Sequence, residues 1–181
     1  MPHRPRDPIF RCVNNLKQVG LSFRLWAGDN DDKYPMHVLV AKGGTMELVD
    51  GALAAPHFAV MSNELGTPKM LNCYMDSSRQ PATNFASLQD SNISYFINVS
   101  AAEDNPYMWL AGDRNVMVGQ MTVQGMVGVN ANSHVDWSEA MHKKRGAIAL
   151  ADGSVRQYSS QELISSLRAQ TNVTSRLVFP Q

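Results

Sequence analysis

Apolar residues recur at helical spacing over residues 8–29. Cys12, Leu16, Val19, Phe23 and Trp26 are separated by four, three, four and three positions, which places them on one stripe of an α-helix. Asn14, Asn15, Lys17, Gln18 and Arg24 fall on the opposite side, so this helix is predicted to pack by one face. Pro8 suits its first turn, and Gly28 followed by Asp29-Asn30-Asp31-Asp32 ends it in a polar turn. A second helical pattern covers 52–65, with Leu53, Phe58, Met61 and Leu65 on one side and Pro56 near its start. Gly66-Thr67-Pro68 stops it.

Beyond residue 66 the period shortens. Lys69 to Cys73, Ile93 to Val99 and Tyr107 to Ala111 read as strands, and Val116 to Val129 as a strand pair broken at Gly119 or Gly125. A short helix is predicted around Asn84 to Leu88. The clearest β signal is a hairpin: Ala147-Ile148-Ala149-Leu150, the turn dipeptide Asp152-Gly153, and the return Ser154 to Tyr158. A helix then starts at Ser159 or Ser160 with Glu162 in its first turns, and Arg176-Leu177-Val178-Phe179 forms the final segment. The order of elements predicts an α+β fold, with helices packed on an antiparallel sheet in a single domain spanning 1–181.

At 181 residues such a domain buries about 70% of its unfolded surface. The 44% hydrophobic and 18% charged content fits a folded globule. Sixteen basic residues balance sixteen acidic ones, so charge gives no ground for nucleic acid or an anionic membrane as partner. The basic groups Arg4, Arg6, Arg11 and Lys143-Lys144-Arg145 read as solvated segments. The longest charge-free run, 115–135, is interrupted by Gly119, Gly125 and Gly128 and does not read as a spanning helix, and no apolar signal-peptide core follows the first arginines. As written, the sequence reads as a soluble chain. Cys12 and Cys73 fit no metal spacing; they are two buried thiols or one long-loop disulfide.

Candidate chemistry is sparse. His134, Asp136, Glu139 and His142 carry metal-binding residue types within nine positions, yet lack the zincin spacing of two histidines four apart. The acids around Asp31 lack the glycine and acid positions of an EF-hand and read as a solvated turn. His57 has no activating neighbour in sequence. No nucleophile elbow, Walker loop, dinucleotide fingerprint or Cys-x-x-Cys is present. Asn92, Asn98 and Asn172 open short glycosylation sequons.

The segment Arg11-Cys12-Val13-Asn14-Asn15-Leu16-Lys17-Gln18-Val19-Gly20-Leu21, with Phe23 to Ala27 after it, resembles the helix of bacterial prepilin-like, type II secretion pseudopilin-like proteins just past its membrane-embedded half. The resemblance continues through Asp32 to Met36, Ser62 to Lys69, Ser94-Tyr95-Phe96 and Leu110 to Asn115. It closes on a C-terminal signature in which nine residues separate His142 from Asp152-Gly153, of the planctomycete and verrucomicrobial type.

That resemblance implies a pilin-like head: the remaining half of a long N-terminal helix (8–29) laid on an antiparallel sheet within a globular part (30–181), with additional short helices. It implies a non-enzymatic subunit of a secretion pseudopilus or cell-surface fibre, acting by protein–protein assembly with other pilin-like subunits and secretion-system proteins. Phe10 and Leu21 are the residues expected to meet neighbours. The place of action would be the periplasm or cell surface, with the membrane reached only through an N-terminal helix that this sequence does not show. The oxidising compartment would favour a Cys12–Cys73 disulfide. His142, Asp152 and Gly153 would be structural, the last two for turn geometry and His142 as an anchor for the strand it precedes. No cofactor is expected beyond calcium, for which Asp113 and Asp152 are the candidate ligands. The rival reading is a secreted polysaccharide-binding module or hydrolase that stacks sugars on Trp109, Tyr107 or Trp137.

Overall fold

The computed structural model describes residues 7, 9–170 and 173–181. Pro8, Arg4, Arg6 and Asn172, singled out above, lie outside the described residues. Helix α1 (Ile9–Gly28) forms where the heptad-like pattern requires it, and Cys12, Leu16, Val19, Phe23 and Trp26 all point into the core. The 52–65 pattern yields two short helices, α2 (Ala55–Ala59) and α3 (Ser62–Leu65), rather than one. Met61 leaves helical geometry between them at φ −95° and ψ 28°, which turns its side chain into the core with Phe58 and Leu65.

Among the described residues there are nine strands: β1 (Tyr95–Asn98), β2 (Trp109–Asp113), β3 (Val116–Val118), β4 (Met121–Thr122), β5 (Gly125–Val129), β6 (Val135–Trp137), β7 (Arg145–Leu150), β8 (Val155–Ser159) and β9 (Ser175–Phe179). Helix α4 (Ser160–Arg168) sits between β8 and β9 behind a capping box of Ser159 and Glu162. Six strands form one antiparallel sheet in the order β5-β9-β1-β2-β7-β8, and three form a second in the order β4-β3-β6.

This arrangement overturns the expected fold class. The anticipated α+β pilin-like head has helices on one antiparallel sheet; the structure has one long helix and a sandwich-like pair of antiparallel sheets with short helices. The inner strands of the six-stranded sheet are covered on both faces, whereas the edge strand β8 is largely exposed. Toward α1 the sheet presents Tyr95, Ile97, Ala147, Ala149 and Val178. Toward the small sheet and α4 it presents Phe96, Ile148, Leu150, Leu177 and Phe179, which pack with Val116, Val135, Trp137, Leu163 and Leu167. A strand buried on both faces carries no polar alternation, so its sequence does not reveal a second layer.

Two further expectations change. Residues 69–73 are not a strand: Pro68–Leu71 form a 3₁₀ turn, begun by the Thr67 hydroxyl accepting from the Lys69 N–H. The 116–129 segment breaks at both Gly119 and Gly125, each with positive φ, and gives three short strands. The hairpin forms, with Ala147 opposite Gln157 and Ala149 opposite Val155, but its turn covers 151–153 between Leu150 and Ser154 and only Gly153 takes positive φ, so it is not the two-residue turn the dipeptide suggests.

The side of β7 facing α1 is built of alanines, and Ala151 continues the row. Their small side chains let the helix lie close over the strand.

Candidate functional site

The most concentrated chemistry lies where the start of β7 meets the first turns of α1. Cys12 comes from the buried stripe of α1, and Cys73 follows the 3₁₀ turn begun by Thr67. Their sulfurs form a disulfide with a Cα–Cα distance of 5.5 Å, tying helix to loop across 61 positions. His142, in the loop between β6 and β7, places Nε2 3.3 Å from Cys73 Sγ and 3.6 Å from Asp113 Oδ2. Asp113 ends β2, opposite Tyr95 of β1. Its Oδ2 accepts the Ala147 N–H at 2.7 Å, while its Oδ1 is buried without a partner.

The backbone around the histidine is unusual. Met141, Lys143 and Lys144 all take left-handed φ values, of 64°, 55° and 59°. Such conformations cost non-glycine residues about 1 kcal/mol each or more. They persist where surrounding contacts over-determine them, as at sites that must aim a side chain. Here they swing a 4% exposed imidazole inward between sulfur and carboxylate. The Arg145 Nε donates to the His142 carbonyl at 3.3 Å, and its guanidinium pairs with Asp7 at 2.5 Å. That hydrogen bond, with the Ile9 N–H, holds the exposed Asp7 carboxyl below its usual range. Tyr95 is fully buried beside the cluster; burial first, then the Asp113 charge, push its phenol well above the ordinary tyrosine range.

The other end of the signature also meets α1. Asp152 Oδ1 accepts the Ser154 N–H at 2.8 Å, closing the hairpin turn, and its carbonyl accepts from the Arg24 guanidinium at 3.1 Å. Gly153 sits at φ 83° against Arg24, and a Cβ built on Gly20 would stand 3.4 Å from the Gly153 carbonyl. The signature is thus two contacts with one helix, at Cys12 and at Gly20/Arg24. Twelve helical residues rise about 18 Å. The six residues of β7 span about 20 Å. The nine-residue gap between His142 and Asp152 is therefore the length of strand that brings both ends to α1.

The other candidate residues are placed elsewhere. Asp113 and Asp152 stand at opposite ends of β7 and are not joined in a calcium-like set; among the described residues the one group of three or more potential ligands is Cys12, Cys73 and His142. Asp136 accepts from the Ser160 hydroxyl and from the Trp137 N–H, and Glu139 pairs with Lys144 at 3.7 Å, so neither converges on His142. His57 is buried against the Thr45 hydroxyl at 2.7 Å, and burial pulls its pKa down to about 4. Trp109 and Trp137 are fully buried and offer sugars no platform, while Tyr107 is exposed. The Asn98 amide of one sequon is buried and donates to the Trp109 carbonyl at 2.7 Å. A larger cavity, of about 640 Å³, lies at the turn after α1, where Asp31, Asp32, Glu103 and Asp104 meet Tyr34 and His37. Its polar groups are largely solvated, and Tyr34 already donates to the Ala151 carbonyl at 2.6 Å.

Sequence reasoning placed Cys73, Asp113 and His142 separately and did not join them. They come from segments dozens of residues apart, and no spacing rule links them. With both sulfurs and Asp113 fully buried, the cluster has no direct route for a substrate and works as an anchor between helix, loop and sheet.

Comparison with protein families, with curated proteins and with solved structures finds no match to this chain. Among the described residues no helix is long and apolar enough to cross a membrane.

Proposed function

We propose that this domain is a non-enzymatic subunit of the prepilin-like, pseudopilin-like kind, assembling into a secretion pseudopilus or cell-surface fibre at the periplasmic or outer face of the cell. Its partners are other pilin-like subunits and secretion-system proteins, and α1 is the contact element. The observation that carries this reading is the outer face of α1. Phe10, Leu21 and Leu25 are 50%, 48% and 53% exposed. At 100° per residue they fall within about 60° of arc, opposite the buried stripe. A helix anchored on its inner face by a disulfide, and exposing these three apolar side chains among Asn14, Lys17 and Gln18 on its outer face, is suited to subunit packing.

The buried cluster and the Asp152-Gly153 turn serve this role by fixing α1 to the sheet at the two ends of β7, so that a load applied along the helix passes into the sheet. The polysaccharide reading gains no support from Trp109 or Trp137, which are core residues. Replacing Leu21 and Leu25 by aspartate tests the proposal. Each leucine is half exposed, so its loss removes about 1–2 kcal/mol of newly buried surface. Incorporation into the assembly should fall at least about tenfold per position while the isolated domain keeps its fold. Unchanged incorporation would refute the role given to α1.

A further inference from the structure

The cluster around His142 has a geometry that an anchor alone does not need. A histidine supporting a nucleophilic cysteine receives its carboxylate on one ring nitrogen and the sulfur on the other. Here both partners address the same nitrogen: Nε2 is 3.3 Å from Cys73 Sγ and 3.6 Å from Asp113 Oδ2. The donor atoms of Cys12, Cys73 and His142 lie within 4.8 Å of one another. Two sulfurs and one imidazole nitrogen therefore face a common point, with the Asp113 carboxylate beside the nitrogen. Around a tetrahedral zinc ion, with bonds of about 2.0–2.3 Å, neighbouring donor atoms stand about 3.3–3.8 Å apart. The nitrogen–sulfur separation is already near this range.

The surroundings fit a metal as well. Asp113 is fully buried and its Oδ1 has no hydrogen-bond partner, so its carboxylate places uncompensated acceptor character beside the site. The left-handed residues on both sides of His142 hold the ring toward the sulfurs. His142 lines a cavity of about 150 Å³ together with Asp7, Ile9, Met141 and Arg145.

We propose that, in the dithiol form of the chain, Cys12, Cys73 and His142 bind one zinc ion, with water in the fourth position and Asp113 beside the site, 3.6 Å from the imidazole nitrogen. Zinc takes the place of both thiol protons, which pass to solvent, and no electrons move in this step. The disulfide has no thiolate to offer, so disulfide and metal exclude each other. Either one joins α1 to the Cys73 loop, and the newly made chain has its helix anchored before any oxidation.

The test uses the full chain reduced with a phosphine, freed of metal by a chelator and kept without oxygen. Equilibrium dialysis against zinc should give one ion per chain, and cobalt(II) should show thiolate-to-metal charge transfer together with tetrahedral visible bands. The disulfide form should bind no zinc at this site. His142→Gln and Cys73→Ser should weaken binding at least about tenfold and alter the cobalt spectrum, and Asp113→Asn should alter the visible bands. If the reduced chain unfolds without metal, recovery of its far-ultraviolet circular dichroism on adding one equivalent of zinc supports the site. A reduced chain that takes up no zinc, that stays unfolded with zinc, or that binds it equally well after His142→Gln overturns the proposal. These readouts are independent of assembly through α1.

Discussion

At the scale of single residues, His57 makes a pH-dependent contribution that sequence did not suggest. Its pKa falls from 6.5 to about 4 on folding because burial penalises the imidazolium. The native state therefore holds fewer protons than the unfolded state between those values. Stability from this group is complete above pH 6.5, declines as the pH falls, and levels off below pH 4. The slope is about 1.4 kcal/mol per pH unit within that window. Denaturant unfolding at pH 7 and pH 5 should differ by about 2 kcal/mol from this residue, and His57→Gln should remove that part of the difference. Gly146 gives a steric prediction. A Cβ there would stand 2.4 Å from the Trp137 ring, which is fully buried between the two sheets. Gly146→Ala should lower stability by about 1–3 kcal/mol or more, read as a lower unfolding midpoint.

At the scale of elements, the legible parts were those whose signals are local. The stripe of α1, the hairpin turn at Asp152-Gly153 and the Ser159/Glu162 cap each rest on residues within a few positions of one another. Ser159→Ala should accordingly cost about 1 kcal/mol, measurable by thermal melting. The 3₁₀ turn at Pro68–Leu71 was misread because apolar Met70 and Leu71 resemble a short strand, and the capping hydroxyl of Thr67 outweighed that pattern. The second sheet was hidden for another reason. β1 and β7 are apolar on both faces, so the layer beyond them leaves no polar alternation to read. The His142 cluster was invisible because it joins four segments by contact rather than by spacing. The Cys12–Cys73 link has a calculable weight: closing a loop of 61 residues restricts the unfolded chain by about 4 kcal/mol on the chain-entropy estimate. Replacing both cysteines by serine, with a chelator present, should lower the unfolding free energy by about that amount.

At the scale of the molecule, these contacts serve one arrangement. α1 is held on its inner face by the alanine row of β7, at one end by the disulfide and His142, and at the other by the Asp152-Gly153 turn. Its outer face keeps Phe10, Leu21 and Leu25 in solvent. The central strands of the six-stranded sheet are buried on both sides, with the small sheet and α4 closing the face away from the helix. The central claim, that the outer face of α1 is where this protein meets its neighbours, is tested most directly by placing a photo-reactive amino acid at Leu21 in cells that make the protein. The control position is Met121, which is 73% exposed on the small sheet. The account predicts a ladder of cross-linked subunits from Leu21 and none from Met121; equal cross-linking from both positions, or none from Leu21, would contradict it.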